Sequence, residues 1–110
     1  MRSDRSDTAL LAEINDSISL ISHYIEGLSE ATFESDPLRR DATAFRLLMI
    51  GEAANQMSAG LKARLPDLDW KGMISLRNRL AHDYGSANFS VLWVIAAYEV
   101  PKLTAALKTL

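Results

Sequence analysis

Apolar side chains recur at helical spacing along most of the chain, and no segment alternates between apolar and polar residues as a strand would. The first such stretch forms a narrow seam in which apolar residues are separated by three or four positions, as in helical bundles. The seam consists of Leu11, Ile14, Ile18, Ile21, Ile25 and Leu28. Ser6 or Asp7 can accept a hydrogen bond from the first turn, so the pattern predicts a helix over residues 8–28.

A second helix is predicted over residues 37–58, because Asp36 can act as N-cap and is followed by proline, which favours the first helical position. Its predicted apolar face is formed by Leu38, Ala42, Phe45, Met49 and Ala53. Glu52 falls on the same face, where a carboxylate requires a partner. Gly51 weakens the helix by about 1 kcal/mol relative to alanine, and it either permits close approach of a neighbouring helix or is simply tolerated.

Two further helices are predicted in the second half of the chain. Asp67 or Asp69 can cap a helix over residues 70–82, and Asn88 can cap a last helix. Pro101 lacks a backbone donor and is expected to kink or restart that last helix.

The remaining segments are predicted loops, so four or five helices with short connections define the fold. They predict an all-α protein, an antiparallel four- or five-helix bundle, with the whole chain (1–110) as a single domain. The apolar content of 48% is that of a folded protein. A chain of this length buries a small core, which pairing with a second copy would enlarge. Gly85, in the predicted loop before Asn88, can adopt a positive φ.

Charge and composition exclude several classes of protein. A formal net charge of -2 disfavours a protein that binds long nucleic acids through many phosphates, so any RNA contact must be local. The absence of cysteine excludes disulfides and a thiolate zinc site. No uninterrupted apolar run reaches about 18 residues, and residues 1–7 lack the apolar segment of a signal peptide. We therefore expect a cytoplasmic protein without membrane association.

Arg77 is the residue that departs most clearly from the helical pattern. With Trp70 set at 0°, Arg77 lies at about 340° on the helical wheel, in the middle of the apolar arc of the third predicted helix. An unpaired arginine there would cost several kcal/mol, so it must find an acceptor. The acceptor could be Glu52, in a purely structural ion pair, or the departure could mark a functional site.

His82 lies about 140° around the same helix from Arg77, with Asn78 nearer to it and able to hydrogen-bond its ring. The guanidinium and the imidazole therefore converge only if the helix ends near His82 or if a second copy contributes across a two-fold axis. A single histidine at a helix end is usually structural. The spacing alone therefore does not identify a catalytic pair.

The motif Arg77-x4-His82-x-Tyr84 resembles the signature of the HepT-like toxins of the HEPN superfamily, a group of metal-independent ribonucleases. Three other segments resemble family segments in family order: Asp36-Pro-Leu-Arg-Arg-Asp41, Ile50-Gly-Glu-Ala-Ala-Asn55 and Asp69-Trp70. The resemblance covers residues 10–107. Glu99-Val100-Pro101 is a mild departure, because the family pattern has an acidic residue and leucine before the proline.

The resemblance implies a HEPN-like bundle that forms a homodimer, in which two motifs meet at a shared cleft. It implies Arg77 and His82 as catalytic residues, with Asn78 supporting them, and no metal or other cofactor. The substrate would be RNA, either tRNA or mRNA. The implied partner is an MntA-like nucleotidyltransferase antitoxin of a type VII-like pair, which transfers AMP onto the motif tyrosine, here Tyr84, and silences the nuclease.

These residue types suit RNA cleavage, because RNA carries its own nucleophile in the 2′-hydroxyl. A histidine can move the proton and an arginine can stabilise charge on the phosphate. Two other interpretations stay open. The chain could be a catalytically inactive helical module that docks onto a nucleotidyltransferase, with Arg77 and His82 contacting a nucleotide. It could also be a structural dimer in which Arg77 only pairs with Glu52.

Overall fold

The structure is a computed structural model that describes residues 6–110, and every regular element within that range is helical. In chain order the elements are α1 (Asp7–Ile25), α2 (Glu30–Glu34), α3 (Pro37–Gln56), α4 (Ala59–Arg64), α5 (Trp70–His82), a 3-10 turn (Tyr84–Ser86), α6 (Phe89–Val94), a π-helical turn (Ile95–Glu99) and α7 (Val100–Leu107). The predicted all-α helical bundle is confirmed. The signal-peptide expectation concerned residues 1–7, of which 1–5 lie outside the described residues.

The predicted starts of the four long helical segments are confirmed by their caps. In each case a side-chain oxygen accepts a hydrogen bond from the backbone amide three residues further on. The four capping residues are Ser6, Asp36, Asp69 and Asn88. These caps satisfy amides that would otherwise lack partners in the first turn, and they fix where each helix begins.

Two predicted loops contain the short helices α2 and α4. Ser29 and Ser58 cap these helices, and each helix buries one large apolar side chain, Phe33 in α2 and Leu61 in α4. Gly27, rather than Gly85, is the residue with a positive φ, at 77°. The sequence pattern missed both helices because a single turn or so is too short to show a helical period.

The buried face of α3 differs from the predicted one. This helix packs against both α1 and α5, and its buried residues are Thr43, Ala44, Leu47, Ile50, Gly51, Ala53 and Ala54. The predicted face is wrong at Leu38 and Phe45, whose relative exposures are 81% and 52%. The buried arc consists mainly of small residues because two neighbouring helices approach α3 closely.

The last helical segment contains a π-helical turn just before Pro101, the position at which the sequence predicted a kink or a restart of the helix. The backbone amide of Val100 donates to the carbonyl of Ile95, five residues back. In a regular α-helix the ring of Pro101 would clash with the carbonyl of Ala97, and the wider turn relieves this clash. The chain thus continues as a helix to Leu107.

By length and composition alone, the segment Phe89–Leu107 could cross a membrane, with 19 residues and a mean hydropathy of 1.3. Because only uninterrupted apolar runs were considered in the sequence, this segment was not identified there. Core helices of soluble proteins meet the same criterion, and this segment contributes Leu92, Ala96, Val100, Leu103 and Leu107 to the core. The segment is therefore only a weak indication of a membrane span.

Candidate active site

The position of Arg77 depends on the close contact between α3 and α5. A Cβ atom added at Gly51 would lie 2.6 Å from the carbonyl oxygen of Met73 and would overlap the side chain of Arg77. Of the two interpretations of this glycine, close helix approach is therefore the correct one. The contact places Arg77 directly beside α3, next to the carboxylate that follows Gly51.

Arg77 finds the acceptor that its place on the apolar stripe requires. Its Nε donates to Oε1 of Glu52, and its Nη1 donates to Oδ1 of Asn78 at 2.6 Å. The side chains of Arg77 and Glu52 are 27% and 30% exposed, so the pair is partly open to solvent. A guanidinium has five N–H donors, and these two bonds leave three for another acceptor such as a phosphate. Asn78 thus holds Arg77, whereas the sequence suggested a bond to the ring of His82.

His82 is the last residue of α5 and is exposed to solvent. The backbone amide of Asp83 donates to the carbonyl of Arg79 at 2.9 Å and closes the helix. Because His82 is still part of α5, it lies about 140° around the helix from Arg77, and a single chain does not bring the two groups together. Within residues 6–110, the side chain of His82 makes no hydrogen bond or ion pair, with Arg77 or any other residue. In the same range, no group of three or more His, Asp or Glu side chains could hold a metal ion.

Tyr84 lies in the 3-10 turn after α5 and is anchored to α3. Its hydroxyl donates to Oδ1 of Asp41, and its ring meets the ring of Phe89 edge-on at a centroid distance of 6.0 Å. Burial raises the pKa of Tyr84 to about 12, and the hydrogen bond to Asp41 acts in the same direction. The same hydrogen bond holds the pKa of Asp41 below its usual value. The tyrosine therefore keeps its proton at neutral pH, and the aspartate is ionised.

Arg40 connects the elements around Tyr84. Its Nε donates to Oδ1 of Asp41 at 3.2 Å, its Nη1 donates to the carbonyl of Glu34 at 3.0 Å, and its guanidinium lies 4.1 Å from the ring centroid of Phe89. This cluster was not predicted from the sequence. Asp41 lies in a segment that carries the family resemblance, but nothing in the local pattern pairs it with Tyr84.

Comparison with known proteins places this chain in a family of ribonucleases. The family model described as "Ribonuclease HepT-like" matches residues 14–110. The chain is 30% identical over 101 residues to "Putative RNase MJ1380" of Methanocaldococcus jannaschii, across 92% of this chain and 93% of that one. It is 28% identical over 99 residues to "Probable ribonuclease HepT" of Thermococcus cleftensis, across 90% of each chain. No solved structure matches significantly. The chain belongs to the HepT-like ribonuclease family.

Proposed function

We propose that this protein is a metal-independent endoribonuclease toxin that cleaves RNA with Arg77 and His82. The observation that carries the proposal is the state of these two side chains. The side chain of His82 is exposed at the end of α5 and makes no hydrogen bond within residues 6–110, while Arg77 is already oriented by Glu52 and Asn78 and keeps free donors. Transfer at a phosphodiester requires an accessible imidazole and a preorganised guanidinium, and two copies that face one cleft would bring these groups together.

In the proposed reaction, the 2′-oxygen of the RNA bonds to the adjacent phosphorus and the bond from phosphorus to the 5′-oxygen breaks. The proton of the 2′-hydroxyl passes to an imidazole, and the leaving 5′-oxygen receives a proton. Arg77 contacts the non-bridging phosphate oxygens, where negative charge accumulates. Each chain supplies one His82, so two copies facing one cleft supply both the base and the acid.

The same reaction scheme requires a homodimer, which we propose on the basis of the exposed apolar surface. Leu38 is exposed on α3, and Val91, Val94 and Tyr98 are exposed on the C-terminal segment. Surfaces of this kind often mark protein interfaces. Light scattering should give twice the 12.2 kDa of one chain. A monomer at micromolar concentration would contradict the shared cleft.

The direct test of the proposal is cleavage of RNA by the purified, unmodified protein. At least one of a tRNA and an mRNA should be cut, and cleavage should persist at the same rate in excess EDTA, because no step involves a metal ion. Loss of cleavage in EDTA would overturn metal independence. Absence of cleavage on both substrates would overturn the nuclease proposal itself.

We further propose that an MntA-like nucleotidyltransferase antitoxin silences the nuclease by transferring AMP onto Tyr84. Two features support this modification. Tyr84 follows His82 by two residues, and its hydroxyl borders a cavity of about 230 Å³ on the surface. Each AMP would add negative charge and bulk where a substrate phosphate has to bind.

Substitution of Tyr84 by phenylalanine should prevent this silencing. Intact-mass analysis after co-expression with an MntA-like partner should show increments of one AMP on the wild type and none on the variant. The variant loses one hydrogen bond, to Asp41, so its free energy of unfolding should fall by only about 1 kcal/mol. Increments on the phenylalanine variant would show that another residue is the acceptor.

A further inference from the structure

In the hydrogen bond between Tyr84 and Asp41 the tyrosine is the donor, and this direction determines where the phenolic proton can go when Tyr84 reacts. The phenolic proton points at Oδ1 of Asp41, so the lone pairs of the phenolic oxygen point elsewhere. The carboxylate is itself held, because Nε of Arg40 donates to the same oxygen at 3.2 Å. Arg40 is in turn fixed by the carbonyl of Glu34. The rigid α3 therefore sets the orientation of a hydroxyl that lies on a short turn.

A surface cavity beside Tyr84 offers space for an incoming nucleotide. The cavity of about 230 Å³ is lined by Asp41, Ala44, Phe45, Leu48, Leu80 and Tyr84. Half of the surface of Phe45 is exposed, and an exposed aromatic ring offers a flat face for a nucleobase. Tyr84 and its carboxylate partner Asp41 thus line a mostly apolar recess beside an exposed aromatic ring.

At neutral pH Tyr84 is protonated and Asp41 is ionised, so one can give the proton that the other can receive. A phenol whose pKa is about 12 keeps its proton at neutral pH, so the proton must leave as the oxygen forms a new bond. The charged groups that act on Tyr84 are Asp41 and Arg40. The hydrogen bond from Tyr84 lowers the pKa of Asp41, so this carboxylate is ionised at neutral pH. Its Oδ1 already accepts the hydrogen bond from the phenol and is therefore in position to receive the proton.

We propose that Asp41 is the positioning residue and proton acceptor for adenylylation of Tyr84. In the step, the phenolic oxygen bonds to the α-phosphorus of ATP held by the nucleotidyltransferase. The bond from that phosphorus to the leaving pyrophosphate breaks, and the phenolic proton passes to the Asp41 carboxylate. The inference rests on the proposed modification of Tyr84. It adds that the toxin itself supplies the proton acceptor for the modification that silences it.

The test compares initial rates of AMP transfer onto the wild type and the Asp41→Asn variant, with ATP and an MntA-like nucleotidyltransferase. Asparagine keeps an oxygen that accepts the tyrosine hydrogen bond, but it cannot take up the proton. We expect kcat to fall by about 100-fold with little change in the KM for the toxin, since general base catalysis typically contributes at least this much. Asp41→Glu should recover part of the rate.

Two controls complete the experiment. Asp16→Asn makes the same change of charge at an exposed position on α1, and it should be modified at the wild-type rate. Tyr84→Phe should gain no AMP. Equal kcat values for wild type and Asp41→Asn, or a change in KM alone, would overturn the role of Asp41 and leave the modification of Tyr84 intact. No increment on the wild type would overturn both.

Discussion

Replacing His82 with alanine is expected to reduce RNA cleavage by about 10²- to 10⁴-fold, because the imidazole is the proposed proton-transfer group. The fold should persist. His82 is exposed and makes no hydrogen bond within residues 6–110, so the free energy of unfolding should change by less than about 0.5 kcal/mol. Initial rates on a tRNA, measured beside a thermal unfolding curve of the same preparation, separate these two effects.

The chain contains two histidines, so His23 provides a matched control for this experiment. His23 is also exposed and lies on α1, outside the proposed site. His23→Ala should cleave RNA at the wild-type rate. If His82→Ala were equally active, the catalytic role of His82 would be wrong.

Replacing Gly51 with alanine is expected to lower the free energy of unfolding by about 3 kcal/mol, at the upper end of the usual cost of overpacking. The obstacle includes the backbone carbonyl of Met73, which cannot rotate away as the end of a side chain could. The helices α3 and α5 would have to separate, and Arg77 would move relative to Glu52. Urea unfolding monitored by circular dichroism measures the loss of stability, and RNA cleavage should fall with it.

Gly60→Ala is the corresponding control for a helical glycine without close neighbours. A Cβ atom at Gly60 would find its nearest neighbour, the hydroxyl of Ser58, at 3.9 Å. Alanine is the better helix former, so this variant should be as stable as the wild type or slightly more stable. Equal stability of the Gly51 and Gly60 variants would mean that α3 and α5 do not pack as closely as described.

The starts of the long helices and the position of Arg77 on the apolar face of its helix could be predicted from the sequence. Both depend on residues within one or two helical turns. The predicted helix over residues 70–82 agrees with α5 (Trp70–His82), since Asp69 marks its start. Arg77 was expected to need an acceptor, and Glu52, the candidate acceptor named from the sequence, provides it. Here local periodicity and the cost of an unpaired charge were sufficient.

Features that depend on packing between distant segments could not be predicted. The bond between Asp41 and Tyr84 joins residues 43 positions apart, a distance over which helical periodicity carries no information. The buried face of α3 was predicted from its large apolar residues, but α1 and α5 pack mainly against its small residues. Phe45 therefore stays half exposed while Gly51 is buried. Tertiary contacts outweigh local pattern in both cases.

The π-helical turn Ile95–Glu99 has a consequence for the alignment of the chain's last two turns. Such a turn holds one residue more than the α-helical turn it replaces, so it acts as an inserted residue within a continuous helix. Deleting one residue between 95 and 99 would leave the residues beyond it in the same phase, because the wide turn already absorbs the extra residue. Leu103 and Leu107 would still face the core, but the ring of Pro101 would clash with the carbonyl four residues before it.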